Sequence, residues 1–361
     1  MSILYRAISL EAHSFFARVL RALLFPLSWL YAFFVFLRNR GYDLGWFRVH
    51  HAKIPVISVG NLVMGGTGKT PMILKLFESL SSKGKIAIAS RGYRAIAERL
   101  PRPTRVSDGM GPLCPPSICG DEPFLLASRA EGALVFSGRS RALSADLAEQ
   151  SGASLLLLDD GMQHRALHRD FDLVLLDPER PFGNGWHFPA GVLREGKRGL
   201  SRASLLVFNP VKDKETFLRA KKKIATYSNA PVIGISSRAY AFLDDALISI
   251  ENRKLGVFCG IARPWRFRET IQVLKGKEVL FSSFKDHEVP SLKKLVAFAD
   301  QAKAKGADAL ICTEKDFLKL PSSLSLPLPL YQVRIEVDVT YGQEEWRLFL
   351  QRAREKFPSH V

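Results

Sequence analysis

Two rhythms of apolar residues run along the chain. Ala22 through Leu37 (ALLFPLSWLYAFFVFL) is an unbroken uncharged run between Arg18 and Arg21 on one side and Arg38 and Arg40 on the other. From Ile54 onward the apolar residues instead come in short β-rich runs: Ile54–Val59, Lys85–Ala89, Ala133–Phe136, Ser154–Leu158, Phe171–Leu176 and Ser204–Phe208. Continuous rather than alternating strands are what a parallel sheet covered on both faces requires. With helical segments between most of them, they predict a doubly wound α/β fold. The charged stretch Lys212–Lys223 interrupts the series, and five further runs follow: Val232–Ile235, Leu255–Cys259, Glu278–Phe281, Ala309–Thr313 and Leu330–Val333. These predict a second, smaller α/β domain. The expected organisation is an N-terminal helical segment at 1–41, a larger domain at 42–215 and a smaller C-terminal domain at 216–361.

The first apolar run does not fit a cleaved leader, because Arg18 and Arg21 lie far from the start and no small-residue cleavage site follows. As a helix, Ala22–Leu37 would cover roughly 24 Å, short of the roughly 30 Å hydrocarbon core, and Pro26 weakens a simple span. The favoured picture is a helix lying in or dipping into one leaflet, with Trp29 and Tyr31 at interfacial depth and the arginines against lipid phosphates. A buried core helix and a true span are the alternatives.

Composition narrows the classes. Of 361 residues, 47% are hydrophobic and 24% charged, as in a folded protein with much to bury. Lys and Arg number 52 against 35 Asp and Glu, a net charge of +17, which favours anionic partners without saying which. No zinc-finger, RNP-type aromatic or basic heptad pattern accompanies that charge, so nucleic acid is not the expected partner. Cys114, Cys119, Cys259 and Cys312 have neither metal-ligand nor CxxC spacing.

The segment Val56-Ile-Ser-Val-Gly60-Asn-Leu-Val-Met-Gly65-Gly-Thr-Gly-Lys-Thr70 passes from a strand through a Gly-rich turn into a helix expected to begin about Lys69. In that setting Val63, Met64, Gly65, Gly66, Thr67, Gly68, Lys69 and Thr70 form a phosphate loop, its backbone amides and the positive helix end converging on the anion. Lys69 reaches the β and γ phosphates and the Thr70 hydroxyl ligates Mg²⁺. The pattern G-x-x-x-x-G-K-[ST] is not strictly met, since Val63 stands at its first glycine. The doubled Gly65-Gly66 resembles the deviant loop of ATPases that carry lysine at the position of Met64. ATP with Mg²⁺ is the expected cofactor pair.

Acids complete the pattern. Leu155 to Leu158 ends in Asp159 and Asp160, a buried strand delivering carboxylates to the end of the sheet where ligands bind. One of them holds Mg²⁺, or both belong to a solvated strand end. Asp121 and Glu122 precede the helical stretch Phe124–Arg129, either as a general base or as acids favoured by the helix dipole. His287, after Asp286, is a loop histidine of open role.

Together the blocks GNLVMGGTGKTP, SRGYR (90–94), GDEP (120–123), LDDGMQH (158–164), PAGVLRE (189–195), DH (286–287) and TEKD (313–316) resemble the tetraacyldisaccharide 4'-kinase family. The similarity runs in order from about Pro55 to Asp316, and the apolar helix agrees with it. The resemblance implies ATP-dependent phosphorylation of the 4'-hydroxyl of a tetraacylated disaccharide 1-phosphate at the cytoplasmic face of a bacterial inner membrane, with no obligate protein partner. It further implies Asp121 as base with His287 in support, Glu122, Asp159 and Asp160 around the metal, and Lys69 and Thr70 on the phosphates. Arg194 would meet the anionic substrate or the transferring phosphate. Arg91, Arg94 and Arg198 are placed to steer an anionic headgroup. Met162 and Val192 replace the family's usual Phe and its frequent Pro or Leu, which touches pocket shape rather than chemistry. Two other classes remain open: a membrane-associated P-loop ATPase switch acting on proteins, and a nucleotide-dependent nucleic-acid binder. TEKD lacks the [NT]-K-x-D spacing of guanine readers.

Overall fold

The computed structural model describes residues 15–261, 264–284, 291–321 and 324–357. They form two compact units: one contains the described residues up to Ser236 and those from Val337 onward, the other is Ser237–Glu336.

In the first unit the strands β1 (Val56–Asn61), β2 (Ile86–Ser90), β3 (Thr104–Asp108), β4 (Leu134–Ser137), β5 (Leu155–Asp159), β6 (Phe171–Leu176), β7 (Leu205–Phe208) and the start of β8 (Val232–Leu243) lie in the order β8-β7-β6-β1-β5-β2-β4-β3. All pairings here are parallel except that of edge strand β3 with β4. The doubly wound α/β expectation therefore holds. Successive strand residues point to opposite faces, and the cores divide accordingly. Ile57, Val59, Leu155, Leu157, Leu173 and Leu175 join Met72, Leu76 and Leu80 of helix α2 (Lys69–Leu80) on one face. On the other, Val56, Leu156 and Leu158 meet Ala145 and Ala148 of helix α4 (Arg141–Gln150), the helix that follows α3 (Asp121–Arg129).

Two features of this unit depart from the sequence expectation. The charged stretch near residue 212, read as an interruption, is helix α5 (Lys214–Ile224): Phe217, Ala220 and Ile224 are buried with Phe208 and Val232, and its lysines cluster in the last turn, where the helix dipole favours cations. The chain then returns from the other unit, and the final helix Gln343–Glu355 inserts Trp346, Phe349 and Ala353 into the same core as Ile57. Phe349 meets Phe171 edge to face at 5.4 Å. By compactness the division falls at Ser236, and the C-terminal segment lies with the larger unit. Strand β3 was not anticipated; its Arg105 and Asp108 are exposed, as an unpaired edge tolerates.

The second unit places β10 (Lys254–Cys259) between parallel β11 (Lys277–Ser283) and β12 (Ala309–Thr313), with β13 (Leu330–Tyr341) beyond β12 and β9 (Ala246–Ile248) hairpinned onto β8. Helices Pro264–Val273 and Leu292–Ala304 cover opposite faces through Phe267 and Ile271 and through Leu295, Phe298 and Ala302. Its TEKD segment is structural: Asp316 accepts hydrogen bonds from the Gly260 amide at 2.9 Å and the Thr313 hydroxyl at 2.6 Å.

Helix α1 (Phe15–Asp43) has 29 residues, roughly 43 Å at 1.5 Å each, with Pro26 inside it. It exceeds the sixteen-residue estimate because charged residues bounded the apolar run, not the helix. By length and composition it could cross a membrane. Its inward stripe is narrow, Arg21, Leu24, Ser28, Tyr31, Val35 and Asn39, at helical spacing. Leu23, Leu27, Trp29, Leu30, Phe33, Phe34, Phe36 and Leu37 stay exposed on its other sides.

Because Phe349 is 2% exposed in the shared core, Phe349→Ala should destabilise the larger unit by about 3–5 kcal/mol. The shift of its urea unfolding midpoint measures this; a shift within error would mean the C-terminal helix is not part of that core.

Candidate active site

Strand β1 is flanked by β5 on one side and β6 on the other, so the sheet order reverses at its carboxyl end, where doubly wound sheets bind ligands. There the chain leaves Asn61, turns through 62–68 and starts α2 at Lys69, as the sequence predicts. Gly68 is left-handed, with φ 88°, and a Cβ there would lie 2.1 Å from Asn209 Nδ2. Only glycine satisfies both constraints. Asn209 donates to the Thr67 carbonyl at 2.9 Å, and Asn61 donates to the Thr67 hydroxyl at 2.9 Å while accepting from Lys69 Nζ at 3.5 Å. Two asparagines therefore hold the turn open, and Met64, Gly65 and Gly66 are exposed at its mouth.

Register brings the acids alongside. Val59 pairs with Asp159, and the Asp160 amide donates to the Val59 carbonyl at 2.9 Å. The two adjacent carboxylates then part. Asp160 takes a left-handed φ of 56°, a conformation aspartate tolerates at modest cost. This turns it to Arg194 Nη1, 2.7 Å from each carboxylate oxygen, and to Lys69 Nζ at 3.5 Å. Burial alone would raise its pKa, but Lys69 and Arg194 outweigh burial and keep it below the usual range.

Asp159 remains buried and accepts a hydrogen bond from the Ser90 hydroxyl at 2.8 Å. Burial pushes its pKa up to about 7, with repulsion from Glu122 and Asp160 added and attraction to Lys69 opposing. Such a carboxylate calls for a cation. Among the described residues no cluster of three or more His, Cys, Asp or Glu could enclose a metal by itself. That suits Mg²⁺, which uses one or two carboxylates and completes its shell with water and phosphate oxygens. The residues fit that ion.

Asp121 and Glu122 open helix α3, preceded by Gly120 at φ 98°. A Cβ on Gly120 would sit 2.8 Å from Gly92 Cα, so GDEP packs directly on SRGYR. In SRGYR, Glu98 binds Arg91 Nε at 2.6 Å and the Arg94 amide at 2.7 Å, leaving the Arg94 side chain exposed. Arg91, Glu98, Arg99, Leu100, Pro101, Arg139 and Ser140 line a cavity of about 920 Å³. Asp286 and His287 lie outside the described residues.

Sequence reasoning named the charged groups but missed their supports. Asn61, Gln163 and Glu195 stand inside quoted motifs, and their polarity in apolar company was the available signal. Arg141, 3% exposed and donating to the Asp159 carbonyl at 3.2 Å and the Gly138 carbonyl at 2.6 Å, carried none. It and burial hold His164 neutral, its pKa pushed down to about 4.

A glycine loop opening a helix at the reversal of a parallel sheet, beside a buried carboxylate, defines a P-loop nucleotide-binding protein. The profile of the family Tetraacyldisaccharide-1-P 4'-kinase matches residues 20–354. The tetraacyldisaccharide 4'-kinase of Syntrophotalea carbinolica is 38% identical over 91% of this chain and 91% of its own, and that of Desulfotalea psychrophila 36% over 89% and 93%. The crystal structure of LpxK from Aquifex aeolicus in complex with ATP superposes with a TM-score of 0.74 at 27% identity, covering 93% of this chain and 99% of that one. The chain belongs to the tetraacyldisaccharide 4'-kinase family. These relatives support a kinase over the ATPase switch.

With metal removed by chelation, Asp159 sets a measurable slope. Its folded pKa, about 7, lies above the ordinary aspartate value of 3.8, so its contribution to stability is complete below pH 3.8 and is lost as pH rises towards 7. Asp159→Asn should remove that loss, making the variant progressively more stable than the parent between pH 4 and 7. Parallel pH profiles of the two proteins would refute it.

Proposed function

We propose that this chain transfers the γ-phosphate of ATP to the 4'-hydroxyl of a tetraacyldisaccharide 1-phosphate. The observation that carries the reading is that one compact unit holds both the phosphate loop and the long apolar helix α1, so donor grip and access to a lipid acceptor share one scaffold.

The residue roles follow from position and charge. Residues 63–68 cradle the phosphates with main-chain amides, and Lys69 adds an ammonium that travels with the transferred charge. Thr70, Glu122 and Asp159 would hold Mg²⁺, with Asp160 contributing from its place between Lys69 and Arg194, and the ion would supply positive charge against the charge developing on the phosphates. Asp121, at the start of α3, takes the proton from the acceptor hydroxyl, and the family resemblance adds His287 as its support. Arg194 meets the acceptor's anionic group or the moving phosphoryl, and exposed Arg94 with Arg91 steers the headgroup towards the arginine-lined cavity.

The enzyme works as a monotopic protein on the cytoplasmic face of the inner membrane. Helix α1 supports this: from Ser28, which donates to the His187 carbonyl at 2.7 Å, to Asn39 it is fastened to the body. The described turns before Ser28, residues 15–27, extend roughly 20 Å beyond that fastened stretch. Trp186 and Phe188, exposed and packed edge to face against Phe25 and Tyr31, extend the apolar face of the helix. The net charge of +17 attracts the body to anionic lipid.

Incubation with γ-labelled ATP and acylated disaccharide 1-phosphate should place label in a lipid product, and Lys69→Ala should abolish it. Asp121→Ala should lower kcat by about 100- to 10,000-fold with little change in ATP affinity. Label released only as free phosphate, or an Asp121→Ala effect confined to KM, would overturn the reading.

A further inference from the structure

The protein-facing stripe of helix α1 is polar where a simple lipid anchor would need only apolar packing. Tyr31 Oη donates to the Arg194 carbonyl at 2.9 Å, and Asn39 Nδ2 donates to Glu195 Oε2 at 3.2 Å. Arg165 fastens the same end of the helix, donating to the Asn39 carbonyl at 2.9 Å and to Asp43 at 2.8 Å. Glu195 is a completely buried carboxylate with four donated bonds' worth of acceptor capacity, and three are filled: Asn39, Gln163 Nε2 at 2.9 Å and Arg202 Nη2 at 2.6 Å. A buried charge of this kind is tolerated only while its partners stay in place.

From Glu195 the bonds continue to the phosphate loop. Gln163 also donates to the Asn61 carbonyl at 3.0 Å, and Asn61 is the residue that ties Thr67 to Lys69. Arg194 is the partner of Asp160, and its amide donates to the Leu62 carbonyl at 2.8 Å, while the Met64 amide donates to the Val192 carbonyl at 2.7 Å. Segment 192–195 is thus clamped between α1 and the entry of the phosphate loop.

We propose that α1 is part of the catalytic scaffold, with Tyr31 and Asn39 as positioning residues that set the Arg194–Glu195 pair and, through it, Asp160 and the Asn61–Lys69 grip. Seating of the helix and readiness of the phosphate loop are then one event. The inference rests on the kinase reading for its rate measurement but not for its structural one.

The test uses the full-length protein in detergent micelles saturated with Mg·ATP. Tyr31→Phe removes one hydroxyl, and Asn39→Asp sets a second carboxylate against Glu195. Amide hydrogen exchange at residues 61–70 and 158–165 should quicken in both variants, while partition to liposomes stays that of the parent, since both residues face inward. With acylated disaccharide as acceptor, kcat should fall about 3- to 10-fold for Tyr31→Phe, the worth of one net hydrogen bond. For Asn39→Asp it should fall further, and neither loss should be recovered at saturating surface concentration of lipid, which would rescue a mere anchoring defect. Exchange unchanged in both variants, or full kcat at saturation, would overturn the proposal. Altered exchange in a protein whose parent form phosphorylates no acylated disaccharide would reject the acceptor assignment alone and leave the coupling standing.

Discussion

Everything at the site turns on the way two neighbouring carboxylates are driven apart. A left-handed turn at Asp160 gives that residue to Arg194 and Lys69, while Asp159 stays behind at the end of a strand with a serine hydroxyl. One acid is therefore fully charged and organises two cations; the other is held on the edge of ionisation. Were both to face the same way, mutual repulsion in a low-dielectric cleft would keep one of them protonated. The strand pairing of β1 with β5 brings them to the loop, and the glycine at 68 gives the loop its shape.

That division of labour also explains the abundance of neutral polar supports. Lys69 and Arg194 are long and flexible, so a defined position costs them side-chain entropy. Gln163 and Asn209 are partly buried amides that instead fix main-chain atoms, the Asn61 and Thr67 carbonyls, at 3.0 and 2.9 Å, and buried Asn61 holds the Thr67 hydroxyl at 2.9 Å. The charged groups thus work from a prearranged frame, the condition under which electrostatic stabilisation costs no reorganisation.

Much of this was legible in the chain itself, for local reasons. Apolar runs such as Leu155–Leu158 reveal buried parallel strands, and a glycine cluster between strand and helix announces the anion loop. What escaped notice depends on distance in space. The return of Trp346 and Phe349 to the core of Ile57 joins segments nearly three hundred residues apart, and no local pattern announces it. The length of α1 was misjudged because its ends lie beyond the uncharged run that marks it. Strand β3 exists as an edge pairing, and Arg141 looks like any surface arginine until β4 and β5 enclose it. Partners such as Glu195 and Asn39 stand 156 positions apart.

The insertion of Ser237–Glu336 between the two parts of the larger unit bears on how the protein is made. Domains usually fold as the ribosome releases them, amino-terminal first. Here the amino-terminal part emerges before the inserted unit, whereas the helix that completes its core, Gln343–Glu355, is translated after that unit. Until Trp346 and Phe349 arrive, the side of that core around Ile57 and Phe171 which they cover stays open, although α2 already lies against the sheet.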